Sequence, residues 1–294
     1  MDSLEWMIFL ALAAIAVGLA YYLNGKDRKK CQSLRLEGIR VNRMVMKLLL
    51  DLQQHRGMVN AFLNGDNSFK PRLEKKQTEI ESSMAKLDAL RDKGLLTVQR
   101  WDSIRDVWQA LRGEVLTLST EDSFRRHSEL IRAVLYSLGD VAERSQIVST
   151  CTADAALVNA LWSDIPSVAE GLGQARGLGA GVAAQGRCSS VARIKLRFLE
   201  EQISETMGWV SADLISAGAA QEKTASIGLA WETANKAIHE FLTLLDEKLI
   251  NVARPTIDAE HYFSAATKAL DAAFHVFDQA SDTLEKAVAK GHAA

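Results

Sequence analysis

Two stretches stand out in this sequence: Leu52-Gln53-Gln54-His55-Arg56-Gly57 and, 120 residues later, Leu172-Gly173-Gln174-Ala175-Arg176-Gly177. Both lie among apolar residues at helical spacing, which predicts two amphipathic helices. The apolar faces comprise Val41, Met44, Val45, Leu48, Leu52, Val59 and Leu63 around the first stretch, and Ile165, Val168, Leu172, Ala180 and Ala183 around the second. Arg56 and Arg176 each fall on such a face, where a buried charge needs a partner.

These two arginines have two interpretations. In the first, Arg56 and Arg176 hold a shared small anion, because a guanidinium offers planar, bidentate donors to a planar oxyanion and stays charged when buried. Gln53, Gln54 and Gln174 would add neutral donors if they face the same cavity. In the second, each arginine pairs with a carboxylate from a neighbouring helix, as buried charged residues usually do.

The composition favours helix and argues against several functional classes. Hydrophobic residues make up 48% of the 294 residues and charged residues 24%, and no alternating strand pattern is present. A net charge of −2 gives no basis for a nucleic-acid surface. The three cysteines and six histidines show no disulfide-framework or metal-ligand spacing, and no nucleophile or nucleotide motif occurs. We therefore expect no metal, no cofactor and no enzymatic activity.

Residues 7–23 are predicted to form a transmembrane helix. They carry no charge and would span about 26 Å. Aromatic residues typical of membrane interfaces stand at the two ends of this run: Trp6, Tyr21 and Tyr22. Basic residues follow it directly at 26–30, which by the positive-inside rule places the remainder of the chain in the cytoplasm.

A cleaved signal peptide is the alternative interpretation of this N-terminal segment. Signal peptides begin with basic residues, whereas Asp2 and Glu5 precede the apolar run here. We therefore expect a transmembrane anchor at residues 1–25 and a helical domain at residues 26–294. The expected location is the inner, cytoplasmic membrane, crossed once, with the domain in the cytoplasm.

An all-α domain of eight long helices is predicted, as two antiparallel four-helix bundles. The first helix continues from the membrane to a turn at residues 64–67, and the fifth is interrupted before Pro166. Four helices precede Thr150 and four follow it, and an Arg-Gly helix opens each half. Glycines are unusually frequent in the second Arg-Gly helix, at 171, 173, 177, 179 and 181. Each costs about 0.8–1 kcal/mol relative to alanine, so either close packing or a ligand must require them.

At residues 52–57 the sequence resembles the nitrate- and nitrite-sensing (NIT) domain family, whose first helix typically carries Leu-Gln-x-Glu-Arg-Gly. Residues 172–180 look like the second Arg-Gly segment of that family. Other positions similar to the family are Ser128, Leu130, Ile131, Ser145, Tyr262, Phe263 and Thr267. The resemblance covers about residues 35–285 and implies two antiparallel four-helix bundles, with the ligand held between helices by arginines.

Carried over to this sequence, the resemblance gives a set of expected ligand-binding residues: Arg56, Arg176, Arg193, Gln53, Gly57 and Gly177. His55 departs from the usual glutamate of the family, and Val59 from a common small hydroxyl residue. The expected function is a membrane-anchored sensor that binds nitrate or nitrite. Because no effector module follows the last helix, the signal is expected to pass to a separate partner protein or through a homodimer. The alternative is a helical scaffold that binds partner proteins and senses nothing.

Overall fold

The computed structural model describes residues 3–147, 152–218 and 225–290, with side chains at Trp6, Leu12 and from residue 15 in the first range and from residue 155 in the second. Within these ranges every regular element is helical, as predicted. The helices are α1 (Ser3–Leu63), α2 (Lys70–Asp88), α3 (Val98–Glu114), α4 (Thr120–Arg144), α5 (Thr152–Asn159), α6 (Ile165–Gln185), α7 (Ser190–Ser216), α8 (Ala225–Leu245) and α9 (Ala259–Ala289).

Helix α1 is a single continuous helix of 61 residues. It ends at the predicted turn, where Gly65 takes a φ of +103° that favours glycine. In the part of the chain described in full, no helix is both long and apolar enough to cross a membrane. Much of the predicted anchor at residues 7–23 falls outside the described side chains. The anchor is therefore not confirmed.

The described helices pack as two arrays of four. In the first half, α1 packs against α2 and α4, and α3 packs against α4; in the second, α6 packs against α7 and α9, and α8 packs against α9. The halves meet where α1 contacts α6 and α9, and where α4 contacts α6. The two Arg-Gly helices, α1 and α6, therefore both lie at the junction between the halves.

Helices α5 and α6 form one interrupted helix, which gives eight principal helices in the described chain. A π-helical turn, Ala160–Asp164, joins them directly before Pro166. Proline has no backbone N–H and its ring crowds the preceding turn, so the local hydrogen-bond pattern must change there. The hydrogen-bond pattern of the helix changes before Pro166, where the interruption was predicted, but the chain remains helical.

The glycines of α6 are explained in part by close helix packing. A Cβ added at Gly171 would lie 2.7 Å from the side chain of Ile203 on α7. At Gly179 the added Cβ would overlap the ring of Tyr262, which is fully buried on α9 and donates a hydrogen bond to the Ala175 carbonyl at 2.9 Å. Close contact with α7 and α9 therefore offsets the low helix propensity of these glycines.

Replacing Gly179 with alanine is expected to lower the free energy of unfolding by about 1–3 kcal/mol, because the rigid ring of Tyr262 has no room to withdraw. The matched control is Gly181→Ala on the same helix, where an added Cβ meets no atom within 4 Å outside its own helix backbone. That change is expected to raise stability by up to about 1 kcal/mol through helix propensity. Urea unfolding of both variants checks the pair, and equal effects would contradict the packing explanation.

Candidate functional site

Arg56 of α1 forms an ion pair with Glu170 of α6 inside the junction. The Arg56 side chain is only 3% exposed. Its Nη1 donates to Glu170 Oε1 at 2.6 Å and its Nη2 to Oε2 at 3.1 Å, which is the bidentate geometry of a strong charge-assisted pair. Nη1 also donates to Ser128 Oγ on α4 at 2.9 Å. For Arg56, a carboxylate from a neighbouring helix is therefore the partner.

The Glu170 carboxylate lies among donors only. Besides Arg56, it accepts from Gln53 Nε2 at 2.9 Å and from Gln174 Nε2 at 2.8 Å. Glu170 is only 6% exposed, so these contacts replace the water that a carboxylate would otherwise bind. The bridge between α1 and α6, which one of the two sequence interpretations assigns to a ligand, is made here by the pair of Arg56 and Glu170.

Arg176 of α6 has a different environment. It is only 8% exposed, and its Nη1 donates to Thr267 Oγ1 on α9 at 3.1 Å. Across residues 3–147, 152–218 and 225–290, no carboxylate oxygen lies within 4 Å of its guanidinium nitrogens. Burial, followed by the nearby charge of Arg56, lowers the pKa of Arg176, while Asp271 and Glu170 oppose that shift from a distance. Arg176 is therefore a buried cation without a direct counter-ion in the described chain.

Each arginine also faces an aromatic ring, and the two settings repeat. The Arg56 guanidinium lies 5.0 Å from the ring centre of Phe124, and that of Arg176 lies 4.8 Å from the ring centre of Phe263. Each phenylalanine stands four residues before the hydroxyl residue that accepts from the same arginine: Phe124 before Ser128 on α4, and Phe263 before Thr267 on α9. The last helix of each half therefore supplies the same ring-and-hydroxyl pair.

A neutral histidine pair lies beside Arg56. His127 Nδ1 must donate to the Ser123 carbonyl at 2.7 Å, because a carbonyl only accepts. His127 Nε2 then accepts from His55 Nδ1 at 2.8 Å, and His55 Nε2 accepts from Gln77 Nε2 at 3.3 Å. Burial is the main cause that lowers the pKa of His127 to about 4, and burial followed by the charges of His127 and Lys76 lowers the pKa of His55 well below its usual range.

Stability is expected to fall as the pH is lowered from about 6.5 to about 4. The unfolded histidines have a pKa near 6.5, so in this window the unfolded chain binds more protons than the folded chain. The stabilisation from neutral, buried His127 is complete above the unfolded pKa and is lost toward the folded pKa, at up to about 1.4 kcal/mol per pH unit.

Urea unfolding across this pH range checks the expectation. Carboxylates also titrate there, so the comparison is with His127→Gln, which should show a shallower slope. His239 is exposed on α8, and His239→Gln should keep the slope of the parent chain. If the free energy of unfolding depends on pH as steeply in His127→Gln as in the parent chain, the assignment of this dependence to His127 is wrong.

Three of the predicted site residues lie in one group: Arg56 and Gln53 both donate to Glu170, and the charge of Arg56 lies near enough to lower the pKa of Arg176. We call the residues of this group the junction cluster: Gln53, Arg56, Ser128, Glu170, Gln174, Arg176 and Thr267. The two predicted glycines, Gly57 and Gly177, differ in their surroundings. A Cβ at Gly177 would lie 3.3 Å from the Phe124 ring, whereas a Cβ at Gly57 would meet no described atom within 4 Å outside its own helix backbone.

Arg193 is not part of this cluster. Its Nη2 donates to the Val252 carbonyl at 3.0 Å, beyond the end of α8. The guanidinium therefore holds the chain between α8 and α9 against α7. The sequence around Arg193 gave no indication of this contact with the backbone at Val252.

Glu170 is the main residue that sequence reasoning missed. A signal was present, because it is the single charged residue between Ile165 and Ala175, a segment of apolar, small and amide residues. The repeated spacing of Phe124 with Ser128 and of Phe263 with Thr267 was a second signal. Both become meaningful only once α4, α6 and α9 are known to meet α1.

The arrangement provides guanidinium, amide and hydroxyl donors from four helices. The profile of the family described as nitrate and nitrite sensing matches residues 47–285. The solved structure of the NasR transcription antiterminator is similar to this chain, with a TM-score of 0.70 and 18% identity over 92% of this chain and 74% of that one, which supports the fold alone. No curated protein matches the sequence. Since the family match extends over most of the sequence, this chain belongs to the nitrate and nitrite sensing (NIT) family.

Proposed function

We propose that this protein is a sensor that binds nitrate or nitrite at the junction cluster, beside Arg176 and Arg56. The observation that supports this most is the burial of Arg176 without a carboxylate within ion-pair distance in the described residues. An uncompensated buried charge is costly, and a bound anion would supply the missing counter-charge. Family membership favours a sensory role over a catalytic one.

The anion would bind the guanidinium of Arg176 and compete with Glu170 for the guanidinium of Arg56. Thr267 accepts from Arg176 and donates to the Phe263 carbonyl at 2.8 Å, so its hydroxyl orients the guanidinium. A planar oxyanion that also took a hydrogen bond from Arg56 would weaken the pair with Glu170. Because that pair joins α1 to α6, ligand binding would change how the two halves pack.

The signal would then be a shift between two packings of the junction. A ligand that contacts one packing better than the other moves the equilibrium by its difference in affinity. We propose that the change passes to a separate partner protein or through a homodimer. Helix α1 is well placed to carry it, because it runs from the junction to its own N-terminal segment without a break.

Anion titration tests the sensor. The purified full chain would be titrated with nitrate, nitrite, chloride and sulfate, and binding followed by calorimetry and by the thermal midpoint. We expect saturable stabilisation by nitrate or nitrite, by about 2.7 kcal/mol at a hundred times the dissociation constant. A response that rises equally with chloride would reflect general salt screening and would contradict a specific site.

A second candidate is a helical scaffold that binds partner proteins and no anion. The observation that favours it is the complete pairing of Arg56 with Glu170, which needs no ligand. If the scaffold is correct, no anion will shift the thermal midpoint saturably, and changes at Arg56 and Arg176 will alter stability alone.

The N-terminal segment supports a further part of this proposal, attachment of the sensor to the cytoplasmic membrane. Apolar side chains are exposed along α1 ahead of the bundle, at Ile15, Val17, Leu19 and Leu23. A basic segment follows at 26–30, which by the positive-inside rule would hold the bundle on the cytoplasmic side. A reporter fused to the C-terminus should be active only in the cytoplasm, and periplasmic activity would contradict this topology.

A further inference from the structure

We propose that Glu170 is the residue that determines charge specificity at the anion site. By pairing with Arg56 it leaves the junction cluster with a single net positive charge, which suits a monovalent anion and disfavours a dianion. This inference rests on the proposed function, because it concerns which anions the same site accepts. It concerns a residue that acts through charge and need not touch the ligand.

The charges within the cluster support this assignment. Arg56 and Arg176 contribute two positive charges and Glu170 one negative charge, and all three are at least nine-tenths buried. The remaining hydrogen-bonding groups are neutral amides and hydroxyls: Gln53, Gln174, Ser128 and Thr267. One monovalent anion would therefore bring the cluster to neutrality, whereas a dianion would leave an excess negative charge in a buried place.

Charged groups that face the cluster from neighbouring helices do not change its net charge of one. Asp271 on α9 is exposed to water, which screens its effect on Arg176. On α1, Asp51 is already paired with Lys47 at 2.8 Å and with Lys76 at 3.1 Å. The histidine pair is neutral above about pH 6.5, since burial lowers both pKa values.

The two halves of the internal repeat differ in charge at the position of Glu170. The offset of 120 residues that relates Arg56 to Arg176 relates Leu50 to Glu170. The second half thus supplies a carboxylate to the arginine of the first half, while the corresponding position of the first half is a leucine. Arg176 is left as the available cation, and the cluster is built for one external negative charge.

Perchlorate and sulfate form a matched pair of probes, because both are tetrahedral anions with four oxygens and differ in charge. For the full chain at about pH 7.5, we expect nitrate to bind and perchlorate to bind more tightly than sulfate. In Glu170→Gln the side chain keeps its volume and loses its charge. Since sulfate carries twice the charge, its affinity should rise by about the square of the factor for perchlorate, so the ratio should shift toward sulfate by about tenfold or more.

Gln174→Lys is the second variant, because Glu170→Gln leaves the buried Arg56 without its counter-ion and a loss of folding there would leave no binding to measure. Gln174 is partly exposed and donates a hydrogen bond to Glu170, and a lysine ammonium can donate to the same carboxylate. This change raises the net charge of the cluster from one to two, so the ratio of perchlorate to sulfate affinity should shift toward sulfate by about tenfold or more. If only this variant folds, its perchlorate-to-sulfate ratio alone decides, and an unchanged ratio would overturn the proposal.

The remaining outcomes separate this inference from the function on which it rests. Nitrate binding with the same perchlorate-to-sulfate ratio in the parent chain and in Glu170→Gln would overturn the role of Glu170 and leave the sensor intact. Equal binding of perchlorate and sulfate by the parent chain would do the same. No binding of any anion by the parent chain or either variant would overturn both proposals.

Discussion

Arg56→Met is expected to lower the free energy of unfolding by about 3–5 kcal/mol, the usual effect of removing one partner of a buried ion pair. Methionine keeps most of the volume of the arginine stem, so cavity formation contributes little. The loss comes from Glu170, which would stay buried with two neutral amide donors, from Gln53 and Gln174, in place of a guanidinium. Urea unfolding with linear extrapolation gives the measurement.

A double-mutant cycle measures the coupling between Arg56 and Glu170. Adding Glu170→Gln to Arg56→Met removes the unpaired carboxylate, and we expect the double variant to be more stable than Arg56→Met alone by about 1–3 kcal/mol. The control is Arg40→Met, because Arg40 also lies on α1 and pairs across to α9 with Glu285, but its side chain is 62% exposed. That change should cost at most about 1 kcal/mol. The cycle also includes Glu170→Gln alone, and costs of the two single changes that simply add in the double variant would show that the two residues are not coupled.

The helical architecture followed closely from local patterns in the sequence. The turn at residues 64–67 and the interruption before Pro166 were both placed by short-range chemistry, that of glycine at positive φ and of proline without an N–H. Buried apolar stripes such as Val45, Leu48 and Leu52 were visible as helical periodicity. These features depend on residues within one or two turns of each other, which the sequence displays directly.

The functional site could be predicted only in part, because it depends on contacts between residues that are far apart in the sequence. Arg56 and Arg176 stood out since a charge on an apolar face is conspicuous in one helix. Their partners lie 114 residues away for Glu170 and 91 residues away for Thr267, and helical periodicity carries no information about which helices meet. The contact of Arg193 was hidden for the same reason, since its partner is the carbonyl of Val252, beyond the end of α8.

The two arginines differ in one respect that the sequence could not show. Their motifs are alike, yet Arg56 has a carboxylate partner, whereas in the described chain Arg176 donates to a hydroxyl, faces a ring and has no carboxylate within ion-pair distance. A buried pair contributes to the fold only as long as both partners remain, whereas an unpaired buried charge opposes folding. The same residue type at matching positions is thus expected to have opposite effects on stability.

Arg176→Gln is therefore expected to reduce nitrate affinity by about 30-fold or more and to leave the stability of the anion-free chain unchanged or raised by about 1–2 kcal/mol. The affinity falls because a buried charge-assisted pair with the anion is lost, and truncating such a pair costs about 2–5 kcal/mol. The stability does not fall, because the glutamine amide can still donate to Thr267 while the uncompensated charge is gone.

Calorimetric titration with nitrate and urea unfolding without it measure the two effects of Arg176→Gln separately. Arg132→Gln is the control, since Arg132 is exposed on α4 and its loss should alter neither quantity. The combination of weaker binding with undiminished stability distinguishes a ligand-binding arginine from a structural one, because a structural arginine lost from the core destabilises the fold as Arg56→Met does. Undiminished nitrate binding in Arg176→Gln, together with a loss of stability as large as that of Arg56→Met, would mean that Arg176 holds the two halves together and that any anion binds elsewhere.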